Sequence, residues 1–210
     1  MARTRIDAVV FDYGNVLSRP QDPARVREMA ELLRLPVEEF VLRYYRHRPP
    51  YDRGVVPAPE YWAGLLREGG VSTTPDLVER LMRADAASWL RFDEGVVAWA
   101  RQLKATGLPI AILSNMPHEI LAELRSAAGW LAEFGLTIFS CEVESAKPEA
   151  AIYRRLLDAL RLEGSRVLFI DDAEQNVQAA VRAGLHAIRY ESLEALQREV
   201  QGRFVLHAER

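Results

Sequence analysis

Five short apolar runs recur along this chain, at 6–11, 108–113, 136–141, 166–170 and 186–190. Each is rich in aliphatic, β-branched or aromatic residues, the pattern of strands covered on both faces. Between them lie helical periodicities at 94–106, 119–126, 149–161 and 174–183. Gly107, Gly164 and Gly184 follow three of these as helix stops. Strand and helix in alternation leave few solutions. The expected fold is α/β, a Rossmann-like doubly wound parallel sheet of about five strands.

The stretch 18–90 breaks the alternation. It carries helical patterns near 23–33, 37–45, 57–68 and 75–89 and no convincing strand. Pro49-Pro50 and Gly69-Gly70 punctuate the joints. The expectation is an all-helical cap domain at 18–90, inserted after the first strand and lying over its C-terminal edge. Residues 1–17 and 91–210 then form the α/β core.

The 210 residues are 49% hydrophobic and 27% charged, ordinary for a soluble chain with one sizeable core. A net charge of −3 gives no general attraction to nucleic acid or to an anionic membrane, so neither is an expected partner. The apolar runs are strand-length, and no membrane span is expected. Cys141 is the only cysteine, which excludes an intrachain disulfide or thiolate zinc site and fits a cytoplasmic location. Lysine occurs only at Lys104 and Lys147. A monomer or homodimer is expected.

Four polar segments follow strands. They are Asp12-Tyr13-Gly14-Asn15, then Ser114-Asn115, then Ser145-Ala146-Lys147-Pro148, then Asp171-Asp172-Ala173-Glu174-Gln175-Asn176. Strands of a parallel sheet point the same way, so all four segments converge on one edge. Two adjacent carboxylates facing Asp12 resist joint ionisation unless a cation sits among them. Magnesium suits such an all-oxygen set.

In this order the motifs resemble those of the haloacid dehalogenase (HAD) superfamily of aspartate-nucleophile hydrolases, and the helical insertion is similar to its cap. Phe-Asp-Tyr-Gly-Asn-Val-Leu, Tyr51-Asp52-Arg53-Gly54 and Leu-Ser-Asn-Met resemble, more narrowly, the subgroup that includes bacterial sugar-1-phosphate phosphatases. The resemblance implies a magnesium-dependent phosphatase for a small phosphorylated metabolite, with Asp12 as nucleophile and an aspartyl-phosphate intermediate. It implies Mg2+ held by Asp12, the Gly14 carbonyl and Asp172, with Asp171 assisting. Ser114, Asn115 and Lys147 are the expected phosphate ligands, joined by the main-chain N–H groups of Tyr13 and Gly14. The plainer reading of Ser114 or Asn115 is a cap for the helix after Pro117. The polar-aromatic cap segment of Tyr44, Tyr45, Arg46, His47, Arg48, Tyr51 and Arg53 is expected to meet a sugar phosphate, with Arg46 and Arg53 as the substrate-binding residues, against the plainer reading of a solvated helix end.

Gly14 departs from the family pattern, which places a second aspartate there as general acid and base. Losing such a group typically costs about 10²- to 10⁴-fold in rate. Three reconciliations stay open: water or a cap residue substitutes, the leaving group is good, or the chain binds without turnover. A 2-haloacid dehalogenase needs no acid, since halide leaves unprotonated, but the family's dehalogenases carry neutral residues where Asp171 and Asp172 stand. Phosphonoacetaldehyde hydrolase chemistry requires a cap lysine, and residues 18–90 contain none.

Overall fold

The first apolar run divides at Asp7. In the computed structural model, which describes residues 3–207, it forms β1 (Thr4–Ile6) and β2 (Ala8–Phe11). The break coincides with a buried charge: the Asp7 carboxylate receives Arg5 Nε at 2.8 Å and Arg166 Nη2 at 2.6 Å. A turn, Tyr13–Leu17, follows β2, with Asn15 in the left-handed region at φ 56°. Four helices come next: α1 (Pro23–Leu32), α2 (Val37–Asp52), α3 (Ala58–Glu68) and α4 (Pro75–Trp89). The chain continues through α5 (Glu94–Ala105), β3 (Ile110–Ser114), α6 (His118–Ala127), β4 (Leu136–Phe139), α7 (Ser140–Val143) and α8 (Ala150–Leu160). It ends with β5 (Val167–Asp171), α9 (Glu174–Arg182), β6 (His186–Arg189), α10 (Leu193–Arg203) and β7 (Phe204–Leu206).

The five-stranded sheet is parallel throughout, in the order β4-β3-β2-β5-β6. The chain fills one side of β2 and then the other, which makes β2 the switch point where open α/β sheets carry their ligands. Phe11 pairs with both Ile112 and Ile170, so Asp12 and Asp171 emerge side by side one step later. Successive β2 residues serve opposite faces. Val9 and Phe11 pack with Val97 and Trp99 of α5 and Leu124 of α6, while Val10 packs with Tyr153 and Leu156 of α8. Three elements were not anticipated, α7, α10 and β7, and α7 takes the last two residues of the strand expected at 136–141. The three-residue β7 pairs with β1 in a separate two-stranded parallel ladder.

Helices α1–α4 bury an apolar cluster of their own, which includes Met29, Phe40, Tyr44, Trp62, Leu65 and Leu81. One expectation there is corrected. Pro49-Pro50 does not interrupt the structure, because α2 runs through it to Asp52. Each proline removes an N–H and strains a helix interior, yet Tyr44, Arg48 and Tyr51 are all buried along this helix. Tertiary packing outweighs local propensity. The chain leaves and re-enters the sheet layer at a single place, where Ser18 and Phe92 form an antiparallel bridge. Arg19 N–H donates to the Arg91 carbonyl at 2.7 Å, and Asp93 N–H to that of Leu17 at 2.9 Å.

The three glycine stops act differently. Gly107 and Gly184 take the left-handed φ values of 89° and 92° that favour glycine. Gly164 does not; a Cβ there would lie 2.7 Å from the Gly184 backbone, and α8 closes on Arg161 instead. Among the described residues no helix is long and apolar enough to cross a membrane.

Candidate active site

The four polar segments meet at the C-terminal edge of β2, β3 and β5. Asp12 is buried, and its Oδ1 accepts the Tyr13 N–H at 2.7 Å and faces Lys147 Nζ at 2.8 Å. The ammonium of Lys147, whose side chain is 1% exposed, also bonds Asp171 Oδ2 at 2.6 Å. Asp171 is held in turn by the Ala173 N–H at 2.9 Å and by Asn176 Nδ2 at 3.0 and 3.1 Å. Asp172 is only half-buried, and its Oδ2 accepts Asn15 Nδ2 at 2.8 Å. Oxygens of Asp12, Asp171 and Asp172 all lie within 4.8 Å of one another.

Three carboxylates around one ammonium shape the electrostatics. Burial pushes Asp12 up to about 7, although the Lys147 ammonium opposes the shift. For Lys147 burial acts downward, but Asp12 and Asp171 outweigh it and hold the group above its ordinary value. Burial also raises Asp172, against the Asn15 amide. A cavity of about 160 Å³ opens over these groups. The sheet edge lines it with Asp12, Gly14, Ser114, Lys147 and Asp172, and the helices above with Tyr45, Arg48, Asp52 and Trp89.

The family model for haloacid dehalogenase-like hydrolases matches residues 6–184. The chain belongs to this family. It is 30% identical over 129 residues to a phosphoglycolate phosphatase of Yersinia pseudotuberculosis, a match covering 61% of this chain and 56% of that one. The chain thus spans little more than half the length of that relative. A HAD-family enzyme of Bacteroides thetaiotaomicron, solved with magnesium and inorganic phosphate, superposes with a TM-score of 0.74 at 19% identity. That similarity covers 91% of this chain and 98% of the other. The L-2-haloacid dehalogenase of Xanthobacter autotrophicus, solved with chloropropionic acid covalently bound, gives 0.64 at 22% identity, covering 94% and 83%. At these identities the two structures speak for the fold alone.

Within this HAD fold the donor set fits a divalent cation. Carboxylate oxygens gather from three residues, and one lysine leaves their charge uncompensated. Hard cations such as magnesium take oxygen ligands of this kind. Asp171 is the least available of the three, since Lys147, Asn176 and the Ala173 N–H already engage its oxygens.

Several expected site residues take other positions. Arg46 is exposed and lines a separate concavity with Glu39, Arg43 and Glu68. Arg53 pairs with Glu149 and does not line the cavity. The arginine that does is Arg48, which lies about 200° around the helix from Arg46. Tyr44, Arg48 and Asp52 follow i, i+4 spacing, the signal that would have selected this face. Asn115 lines the cavity, but its amide is engaged with the Lys147 main chain. The Tyr13 N–H, expected to meet an anion, is taken by the carboxylate of Asp12. Sequence reasoning gave no role at the site to Asn15 and Asp52, which it met only within motifs, or to Trp89. Gly14 itself has φ −62°, open to any residue, and a Cβ there would meet the Trp89 ring at 3.6 Å, an ordinary contact.

Proposed function

We propose that this HAD hydrolase is a magnesium-dependent phosphatase of small phosphorylated metabolites, with residues 18–90 serving as the cap that selects them. The observation that carries the reading is the bridge from Lys147 Nζ to both Asp12 and Asp171, with Asp172 alongside. A buried ammonium beside a carboxylate nucleophile suits a substrate that brings its own negative charge. The phosphoglycolate phosphatase relative points the same way.

In this mechanism an Asp12 oxygen attacks phosphorus, the ester bond breaks, and an aspartyl-phosphate forms. Lys147 and Ser114 hold phosphoryl oxygens, where fixed donors in a water-poor site act most strongly. Asp171 fixes Lys147 from behind. Asp12, the Gly14 carbonyl and Asp172 would hold a magnesium ion, which would supply charge neutralisation for a phosphate entering beside three carboxylates. Water then hydrolyses the intermediate and frees Asp12.

A 2-haloacid dehalogenase is the second reading. Gly14 favours it, because halide needs no proton; Asp171 and Asp172 oppose it. Incubation with magnesium, a panel of sugar phosphates and p-nitrophenyl phosphate separates the two. The phosphatase reading expects phosphate release that vanishes in Asp12→Asn, and release that survives the substitution overturns it. Metal-free chloride release from a 2-chloroacid, without phosphate release from any ester, establishes the dehalogenase.

A further inference from the structure

We infer that Asp52, at the C-terminal end of α2, is the proton donor and acceptor that Gly14 does not provide. The inference rests on the phosphatase reading and adds a catalytic residue to it.

Asp52 lines the same cavity as Asp12 and Lys147. Its side chain is 17% exposed, enough to present one edge to a substrate while the rest is held. Arg48 Nε fixes its Oδ1 at 2.6 Å. Ser140 Oγ, from α7 at the sheet, donates to its main-chain carbonyl and ties this end of the helix to the core. Among the described residues nothing donates to Oδ2.

The other proton-bearing groups around the cavity are engaged. Tyr13 Oη donates to the Trp89 carbonyl at 2.6 Å, and Tyr45 Oη to Gln21 Oε1 at 3.1 Å. Lys147 is shared by two carboxylates, and Asp172 belongs to the metal-ligand set. Arg48 does not release a proton at any ordinary pH.

The groups whose charge Asp52 feels are Arg48 on its own helix, Asp85 on α4 and Lys147 at the sheet edge. Tyr61 on α3 and the Cys141 thiol on α7 feel Asp52 in return. Burial raises the Asp52 carboxyl, and the opposing cations do not cancel it. An incoming phosphate adds negative charge and favours the protonated form further.

In the first step Asp12 forms its bond to phosphorus, the phosphorus–oxygen ester bond breaks, and the Asp52 proton passes to the departing oxygen. In the second the Asp52 carboxylate takes a proton from water as that water attacks phosphorus. The phosphorus–Asp12 bond then breaks, inorganic phosphate leaves, and Asp52 is protonated again.

Asp52→Asn keeps the shape and an acceptor for Arg48. The test compares it with the unmodified protein and with Asp12→Asn, using an alkyl phosphate and p-nitrophenyl phosphate with magnesium. We expect kcat/KM on the alkyl ester to fall about 10²-fold or more. On p-nitrophenyl phosphate, whose leaving group needs no acid, a burst of one p-nitrophenol per enzyme should precede slow turnover. Equal losses on both esters without a burst reduce Asp52 to a structural support and overturn the inference. Wild-type rates on both esters overturn it as well. If the unmodified protein releases no phosphate, or Asp12→Asn matches it, the phosphatase reading fails and the role of Asp52 with it.

Discussion

Asn115 clasps the main chain of Lys147 from both sides, its Oδ1 accepting the N–H at 2.8 Å and its Nδ2 donating to the carbonyl at 2.9 Å. The end of β3 thereby sets where the lysine backbone stands, and the lysine in turn reaches Asp12 beyond β2 and Asp171 on β5. Asn115→Ala retains Asp12, Ser114 and Lys147, the groups proposed to meet phosphate, and removes the clasp. A misplacement of about 1 Å can cost about 10²-fold in rate. We expect kcat for phosphate release to fall by about that factor, checked by steady-state kinetics alongside a thermal melt showing a folded protein.

The backbone at Gly14 accepts a side chain, with φ −62° and the Trp89 ring in ordinary contact. Gly14→Asp therefore folds and restores a carboxyl two residues past the nucleophile. Placed in the Asp52→Asn background, it should recover at least about tenfold of the lost alkyl phosphatase rate, a fraction of what a general acid supplies. A gain of equal size in the unmodified background means that the two positions do not share a role.

The metal-free protein should become less stable as pH rises from about 4 to 7. Asp12 is raised from its ordinary 3.8 to about 7, so the folded state holds this proton more tightly than the unfolded chain. The resulting stability is complete below the ordinary value and lost as pH climbs through about 7. Magnesium competes with the same proton. The rise in Tm on adding magnesium should be larger at pH 8 than at pH 6, as read by thermal denaturation.

Two neighbouring arginines should behave in opposite ways. Arg46→Ala changes an exposed residue away from the cavity and should shift stability by no more than about 0.5 kcal/mol. Arg48→Ala strips the buried carboxylate of Asp85 and the partly buried one of Asp52 of their shared partner. Breaking a buried pair costs about 3–5 kcal/mol. Urea denaturation measures both.

The sheet strands were legible because both faces are covered, which leaves unbroken apolar runs such as Val9-Val10-Phe11 and Leu168-Phe169-Ile170. The motif carboxylates were legible because each stands one or two steps past such a run. The short β7 carried too little apolar pattern to announce itself. The helical face of α2 was obscured by Pro49-Pro50, which hid the i, i+4 relation of Arg48 to Asp52 and put Arg46 forward instead. Asn115 was recognisable as a residue at the site, but its partner lies 32 positions away, and no local pattern encodes a contact of that kind.

The paired crossing at Ser18 and Phe92 has a consequence for what this architecture tolerates. The departing and returning strands of the neck are bonded to each other, so the intervening residues span almost no distance at their base. The register of β2 against β3 is then indifferent to how much chain lies beyond the neck. Changes of length within helices α1–α4 leave Asp12, Lys147 and the acidic pair where they are, so long as Asp52 and its tie to Ser140 are kept. On the proposed mechanism the two stretches share the chemistry, the sheet edge holding Asp12, Lys147 and the acidic pair and α2 supplying Asp52 from above.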